Sequence, residues 1–512
     1  MTTSSESTHE STQNPAFHHF EITLVLAGHD YKYETEATAK IFLPFVRFSF
    51  LYEDRLPEGE YVYTKLEPAG QQNRLTVSLN IREKTLTRDR LVDAGLDDKE
   101  TEHLLAELLY DTFVEFTGVT PQWGMSTGIR PVKTMEKRLA AGDTMEQAQE
   151  YFRTRFHAGE KKIALCTTIV QQQRPILAKN RPESVSVYIA IPFCPSRCRY
   201  CSFVSHSTAG AKSKALLAEY LEKLLVEIRL LRDKIQQNHL HLHTVYIGGG
   251  TPTTLSAAQM DRLLTCVEEC FPVRELEEFT VEAGRPDTIT PEKLAVMRSH
   301  GVNRVSVNPQ SFNDEVLALS QRPHTAAQAI QAFQMAKEAG FEVVNMDFIA
   351  GLPGDTLESF CHSLDTAIAL DPGNITVHTL TIKRSADLFV QQQFDLSGGQ
   401  MQVGEMVEYA YDALTKAGYL PYYLYRQKNT LDNLENVGYA KSGMICAYNI
   451  YMMDEVHSVL AAGGGAVTKL IRPGEKKVHR IFNHKYPFEY VTRFDELLQR
   501  KEEIDRFYQN QE

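Results

Sequence analysis

One tryptophan in 512 residues, Trp123, and eight cysteines are little for a chain of this length. Eight cysteines cannot staple so long a chain, and three of them are clustered, which excludes a disulfide framework and fits a reducing cytoplasm. No apolar run approaches the roughly 20 residues of a membrane span. Positive charge is in deficit, with 54 Lys and Arg against 66 Asp and Glu and a net charge of −12. A nucleic-acid partner, which wants a basic field, is therefore not expected. The first fourteen residues are rich in Ser, Thr and Glu. They lack the basic and apolar regions of a signal peptide in their usual order. Residues 1–18 are expected to form a disordered tail. What is present is globular: 43% hydrophobic and 23% charged residues, at a length that suggests two or three domains.

Residues 20–80 alternate like strands, at Phe20–Leu26, Lys40–Phe50, Tyr61–Leu66 and Leu75–Ile81. Gly, Pro and Asn punctuate them. Residues 87–180 read as helices; Thr101–Phe116 places Leu104, Leu105, Leu108, Leu109, Phe113 and Phe116 on one stripe. An N-terminal α+β domain is expected over 19–182. From 185 the period changes. Short apolar strands at Val187–Ile191, Thr244–Ile247, Phe279–Glu282, Arg304–Val307, Val343–Phe348 and Ile375–Leu380 alternate with helices such as Lys212–Ile235 and Ala326–Ala339. Six βα units at this rhythm predict an α/β fold with a parallel sheet and crossover helices, over 183–394. Residues 395–512 form a third, mixed region, aromatic at Tyr419–Tyr425 and glycine-rich at Gly463–Gly465.

The densest chemical signal is Cys194-Pro-Ser-Arg-Cys198-Arg-Tyr-Cys201, directly after the first of those strands. Three thiolates at this spacing can each hold one corner of a [4Fe–4S] cluster, which needs four for full protein ligation. Ser202 and Phe203 follow, so one iron is left open, and an open metal site is where chemistry happens. The alternatives are zinc, with His206 as fourth ligand, or three structural thiols. Gly248-Gly249-Gly250-Thr251-Pro252-Thr253 follows the second strand, either as a tight turn or as a loop whose backbone approaches a ligand. Glu282 ends the third strand, Gln310 follows the fourth, Arg322 lies twelve residues on, and Asp347 sits on the fifth. In parallel barrels the strand C-termini build the site. Carboxylates for hydroxyls and an ammonium, with a guanidinium for a carboxylate, suit a zwitterion that carries a ribose. Glu282 and Asp347 can equally be caps or ion pairs that hold a barrel strand.

The cysteine motif with Gly248–Pro252 resembles the radical S-adenosylmethionine (SAM) superfamily. Tyr188–Cys194, Gly250–Thr253, Gln310–Asn313 and Asn345–Pro353 narrow the resemblance to the oxygen-independent coproporphyrinogen III oxidase (dehydrogenase) family. The N-terminal domain, Thr127–Pro131 and Tyr422–Tyr451 are similar to its HemZ branch. The resemblance implies a partial (β/α)6 TIM-like radical SAM barrel with an N-terminal α+β domain and a C-terminal mixed α/β extension that closes over substrate. It implies that Cys194, Cys198 and Cys201 bind a [4Fe–4S] cluster whose open iron chelates SAM. One-electron cleavage of SAM then gives a 5′-deoxyadenosyl radical, which abstracts a propionate β-hydrogen of coproporphyrinogen III. Loss of CO2 and an electron leaves a vinyl, and two rounds give protoporphyrinogen IX in haem synthesis. Tyr188 and Tyr200 match SAM-touching tyrosines. Gly249, Gly250, Thr251, Glu282, Gln310, Arg322 and Asp347 fall at SAM-contact positions, as do Thr381 and Val467, which act there through backbone. One or two SAM molecules are implied, with Gly250, Thr251 and Val467 facing the second. A flavodoxin- or ferredoxin-like electron donor, a tetrapyrrole substrate and a monomer complete the expectation.

Ala190 stands where many members of that family have His, and Ser202 replaces a fourth, non-ligating cysteine. Arg130 and Lys133 are candidates to reach substrate propionates, or else belong to a packing loop. Tyr422–Arg426 can flank a flat tetrapyrrole or pack an edge strand. Cys446 and His457 are candidate haem or cluster ligands, or core residues. Two other functions remain beside the decarboxylase: a haem-binding chaperone of the same branch, and another SAM-radical reaction on a tetrapyrrole, such as methyl transfer or ring opening.

Overall fold

The computed structural model describes residues 21–44, 46–128, 130–203, 205–381, 402–427, 430–472, 474–475 and 477–509. The expected disordered tail, Ile129 of the Thr127–Pro131 motif and residues 382–401 lie outside them. The chain divides into two compact units, one ending at Thr127 and one beginning at Gly128.

The first unit carries a five-stranded sheet. Its strands are β1 (Glu21–Ala27), β2 (Arg47–Leu51), β3 (Tyr61–Ala69), β4 (Gln72–Ile81) and β5 (Lys84–Asp93), in the order β2-β1-β3-β4-β5. The β1–β2 and β1–β3 pairs are parallel, the others antiparallel. Ile22, Leu24 and Leu26 alternate along β1 into a core shared with Leu105, Leu109 and Phe113 of the helix Asp98–Thr117. That helix starts where Asp97 accepts a hydrogen bond from the Glu100 amide at 2.8 Å, which satisfies one of its free N–H groups.

Two expectations fail here. The run Lys40–Phe50 is no single strand: Lys32–Phe42 is a helix that buries Thr35, Thr38 and Ala39, a stripe of period 3.6, and only Arg47–Leu51 is extended. Residues 84–93, expected within the helical stretch, form β5. The hairpin from β4 turns through Arg82 and Glu83, both at positive φ (50° and 63°). That is a turn ordinarily marked by Asn-Gly, and its absence from the sequence hides the hairpin.

The second unit is built on an eleven-stranded sheet. Its parallel heart is β6 (Ser184–Ile191), β9 (His241–Gly249), β10 (Glu278–Gly284), β11 (Arg304–Val307), β12 (Val343–Ala350) and β13 (Asn374–Thr379), side by side in chain order. Each pair is parallel. A two-stranded ladder, β7 (Phe193–Cys194) with β8 (His206–Ser207), sits in the loop after β6. The six expected strands are all there, and the crossover helix Ala211–Gln237 buries Leu217, Leu221, Leu224, Leu225, Ile228 and Leu231 as its stripe requires.

The last hundred residues do not fold apart from this sheet. β14 (Leu420–Arg426) and β15 (Glu435–Ala440) extend it antiparallel beyond β13. β16 (Ser458–Ala462) pairs parallel with β6, and β17 (Val467–Leu470) and β18 (His479–Phe482) continue antiparallel. The helices Pro131–Ala140, Met145–Phe156 and Glu160–Leu177 also group with this unit, so compactness breaks the chain at 127 and not at 182. A buried ion pair, Lys162 Nζ to Glu435 Oε1 at 2.5 Å, ties the third of them to β15.

Candidate functional site

The loops at the C-terminal ends of β6 and β9 are stitched together. Gly250 N–H donates to Ile191 O at 2.9 Å and Thr251 N–H to Phe193 O at 2.8 Å. Only glycine fits this seam. Gly249 has φ +116°, and a Cβ on Gly250 would lie 2.6 Å from Phe193 O and 2.9 Å from Cys194 Sγ. The glycine loop is therefore a cradle for the cysteine loop as well as a turn.

Cys194, Cys198 and Cys201 line one cavity of about 530 Å³. Thr251 Oγ1 donates to Cys194 Sγ at 3.5 Å, and Arg322 Nη1 to Cys198 Sγ at 3.8 Å. Burial pushes the Cys201 thiol up, and the neighbouring Cys198 and Cys194 add to it. A bound cation reverses that balance, because thiolates are the metal-binding form. His206, the candidate fourth zinc ligand, is bonded to Ser213 Oγ at 3.2 Å. Among the described residues no three His, Cys, Asp or Glu side chains close on one ion position. Three separate sulfurs with N–H and O–H donors fit a polynuclear cluster, in which each thiolate has its own iron.

The same cavity gathers Tyr188, Tyr200, Gly249, Gly250, Thr251, Glu282, Gln310, Arg322, Asp347 and Thr381. Val467 is not among its walls; it is half-buried on β17, paired with Phe482. Glu282 accepts from Tyr246 OH at 2.5 Å. Burial pushes its carboxyl up to about 7, against the pull of that bond. Asp347 goes the other way: burial raises it, but the facing His378 imidazole, together with a 2.8 Å hydrogen bond from Asn345 and the nearby Thr376, outweighs burial and holds it below its ordinary value. Two carboxylates in one cavity are thus set apart, one ready to be neutral and one ionised.

The wall opposite is short of partners. Gln310 Oε1, Asn308 Oδ1 and Arg322 Nε are buried with no hydrogen bond. Buried polar atoms without partners cost free energy unless a ligand meets them. Gln310 is also held at φ +69°, with its N–H on Asp347 O at 2.9 Å. Backbone strain of this kind collects where ligands bind. Unfilled polar capacity and strain lie on the residues proposed above for a zwitterion.

Several cavity residues escape a reading by motif. Tyr246 stacks on Tyr448 at 4.5 Å and lies 6.2 Å from Tyr188, a three-ring floor under Glu282. His378 lies 3.9 Å from Asp347 Oδ2 and 3.3 Å from Asn436 Oδ1. Tyr423 and Tyr425 face the cavity from β14, their planes 10° apart. A usable signal is alternation: Asn345 lies two residues from Asp347, and Thr376 two from His378, so each pair shares a face of its strand.

Other candidates are placed elsewhere. Arg426 is buried on the far face of β14 and bonds Asn433 O and Gly128 O. Arg130 pairs with Glu455 at 2.6 Å and Lys133 bonds Asp454 O. Cys446 donates to Glu278 Oε1 at 3.1 Å. His457 is buried between Ser186 and Asn180, and burial lowers it to about 3. All five make structural contacts. No helix of the described residues is long and apolar enough to cross a membrane.

Residues 188–367 match the Radical SAM superfamily, which implies a [4Fe–4S] cluster and SAM. The oxygen-independent coproporphyrinogen-III oxidase-like protein HemZ of Bacillus subtilis (strain 168) is 38% identical over 407 residues, covering 79% of this chain and 81% of HemZ. The heme chaperone HemW of Haemophilus influenzae is 33% identical over 309 residues, 60% of this chain and 76% of HemW. Among solved structures, coproporphyrinogen III oxidase (HemN) from Escherichia coli is similar over 64% of this chain and 72% of its own, at 24% identity and a TM-score of 0.47. With a cysteine loop, a glycine cradle and a polar cavity at the ends of six parallel strands, and with a HemZ alignment that runs through most of both chains, this chain belongs to the radical SAM superfamily and, within it, to the HemZ branch of oxygen-independent coproporphyrinogen III oxidase-like proteins.

Proposed function

We propose that this chain oxidatively decarboxylates two propionates of coproporphyrinogen III to vinyls, giving protoporphyrinogen IX. The observation that carries the reading is that three cysteine residues, Gln310 and Arg322 with their unpartnered Oε1 and Nε atoms, and the aromatic pair Tyr423 and Tyr425 line one cavity. In the proposed holoenzyme Cys194, Cys198 and Cys201 hold the cluster. When bound, the cluster supplies one electron to SAM, whose cleavage provides the hydrogen-abstracting radical. The chain's own part is to bind and orient. Glu282 and Asp347 receive the ammonium and ribose hydroxyls of SAM, Arg322 and Gln310 its remaining polar groups, and Tyr200 packs beside it. Tyr423 and Tyr425 present flat faces to a tetrapyrrole. The relative's printed name, coproporphyrinogen-III oxidase-like, supports the substrate class.

The test is anaerobic turnover. The protein is reconstituted with iron and sulfide, reduced, and given SAM and coproporphyrinogen III. Protoporphyrinogen formed in step with 5′-deoxyadenosine is the expected result. A second reading, haem handling, is favoured by several HemW relatives at 31–33% identity. An intact cluster with substrate-independent SAM cleavage, no decarboxylation and stoichiometric haem binding would select it.

Glu282 gives SAM binding a pH dependence of defined sign. Its folded-state value, about 7, lies above the ordinary 4.5. Below pH 7 it is largely neutral and meets the positive charge of SAM poorly; above pH 7 it is ionised. Affinity is therefore expected to rise with pH up to about 7, by at most about tenfold per unit, and to level off above, with a proton released on binding at lower pH. In the unliganded protein the same group favours folding below pH 4.5, and loses that contribution as pH rises to about 7. Equilibrium SAM binding between pH 5.5 and 8.5 reads the slope. Glu282→Gln should flatten it; an unchanged slope in that variant removes Glu282 from the site.

A further inference from the structure

β10 ends in the turn Gly284-Arg285-Pro286-Asp287. Gly284 sits at φ +60°, and Pro286–Thr288 is a single 3-10 turn. Arg285 is 3% exposed, and its guanidinium spans two partners. Nη1 donates to Ser196 O at 3.2 Å and to Ser196 Oγ at 3.0 Å. Nε and Nη2 donate to the two carboxylate oxygens of Asp287, at 2.9 and 2.8 Å. Ser196 is the midpoint of Cys194-Pro-Ser-Arg-Cys198, and both it and Arg285 line the cavity of the three cysteines. We propose that Arg285 is a positioning residue: it fixes the loop between Cys194 and Cys198, and its charge, balanced by Asp287, sets the reduction potential of the cluster which that loop would hold. The second half of the proposal rests on the cluster assignment made above.

The ends of the loop have their own bonds. Thr208 N–H donates to Cys194 O at 2.9 Å, and Cys201 N–H to Cys198 O at 3.1 Å. Ser207 Oγ adds a longer bond to Pro195 O at 3.3 Å. Arg285 takes the middle, on both oxygens of Ser196. The turn that carries it is braced in its place. Thr288 Oγ1 donates to Arg285 O at 2.8 Å, Thr253 Oγ1 to Ala283 O at 2.6 Å, and the two threonine hydroxyls are 2.6 Å apart. Thr253 closes the glycine loop, so one turn connects both loops to β10. A guanidinium locked along one edge by a bidentate carboxylate has its other donors set in direction. A lysine, with a single point charge on a flexible stem, could not serve both partners in this way.

Electrostatics give the pair a second effect. An iron–sulfur cluster that gains an electron becomes more negative, and its potential follows the net charge around it. A cation nearby stabilises the reduced form and raises the potential; an anion lowers it. Buried charges act with little screening by salt. Arg285 and Asp287 oppose each other, so removing either exposes the other. Arg285→Gln leaves the carboxylate and lowers the potential. Asp287→Asn leaves the guanidinium and raises it. A pair that only braced the turn would move both variants in the same direction, or neither.

The experiment uses the full chain in two forms. Free of metal and kept reduced, it is given iodoacetamide, and alkylation of each cysteine is followed by mass spectrometry. Cys198 is 7% exposed, so its rate reports opening of the loop. Arg285→Gln should raise that rate about tenfold, the scale of a charge-assisted bond lost, and leave the buried Cys166 at its wild-type rate; Arg285→Lys should not restore it. An unchanged Cys198 rate, or an equal rise at Cys166, overturns the positioning role. Reconstituted with iron and sulfide, without SAM, the chain is titrated with reductant and its reduced cluster counted by electron paramagnetic resonance. At a fixed potential the ratio of reduced to oxidised cluster should fall about tenfold in Arg285→Gln and rise about tenfold in Asp287→Asn, about 59 mV for one electron in either direction. Shifts of the same sign, or none, overturn the tuning role. Asp287→Asn keeps the shape of the pair and decides the sign even where Arg285→Gln fails to fold. A wild-type chain that takes up no cluster strikes the cluster assignment and the tuning with it, while the alkylation rates still decide whether Arg285 holds the loop.

Discussion

Replacing Cys198 by alanine is expected to abolish the visible absorbance of the reconstituted cluster near about 400 nm, where thiolate-to-iron charge transfer absorbs, and with it all SAM cleavage. The size of the effect follows from ligand count. In the proposed holoenzyme three thiolates would hold three irons and leave the fourth open, so losing one would leave too few anchors. Cys198 is also the sulfur met by Arg322 Nη1, so the variant leaves that buried guanidinium with only its bond to Asn308 O. Iron and sulfide content, the absorbance, and 5′-deoxyadenosine yield are the readouts. A brown, SAM-cleaving Cys198→Ala protein would sink the cluster assignment for this loop.

The second large effect is on stability, at a place without catalytic residues. Glu227 and Lys501 are both fully buried and 3.2 Å apart. Glu227 also accepts from Gly463 N–H at 2.8 Å, Tyr490 OH at 2.7 Å and Asn483 Nδ2 at 2.8 Å. Burial pushes the Lys501 ammonium down, against the attraction of Glu227. Breaking such a pair leaves a buried charge without its counterpart and typically costs about 3–5 kcal/mol. Glu227→Ala should lower the denaturation midpoint of the Gly128–Glu512 unit by an amount of that order. It should also weaken cluster retention, because Gly463 packs on Ala190 and Gly464 on Pro192, next to the cysteine loop. Replacing both partners with apolar residues should recover much of the stability. Denaturant titration followed by near-ultraviolet circular dichroism measures both; an alanine variant within about 0.5 kcal/mol of wild type, the ordinary scatter of surface changes, would show the pair to be idle.

The parallel strands and the cysteine loop were legible because their signals are local. An apolar run followed by C-x3-C-x2-C, or by Gly-Gly-Gly-Thr-Pro, needs no partner to be recognised. Glu282, Gln310, Arg322 and Asp347 could be placed at strand ends because chain order equals spatial order in this sheet. What escaped depends on contacts distant in sequence. β5 is polar and lies at the sheet edge, so its pairing with β4 leaves little apolar pattern to read. The strands after 420 read as a separate region because nothing local says that β15 joins β13 or that β16 joins β6. Tyr246 and His378 were missed for the same reason: their partners Glu282 and Asn436 lie on other strands, 36 and 58 residues away. Of the two readings open for Tyr422–Arg426, packing holds for Arg426, whose alternating position on β14 turns it to the face opposite Tyr423 and Tyr425.

Order of synthesis gives the two-edged sheet a further meaning. β6 and β13 have unpaired outer edges until residues from 420 onward leave the ribosome, and β16, which covers β6, comes more than 260 residues after it. During that interval the nascent chain carries two open strand edges beside a mouth lined with reduced cysteines, the state in which strands pair with the wrong neighbour. The helix Glu160–Leu177 is made before the strands and meets β15 only at the end. Completion of the sheet therefore waits on the strands after residue 420, and with them on Gly463 and Gly464, which pack against Ala190 and Pro192 beside the cysteine loop.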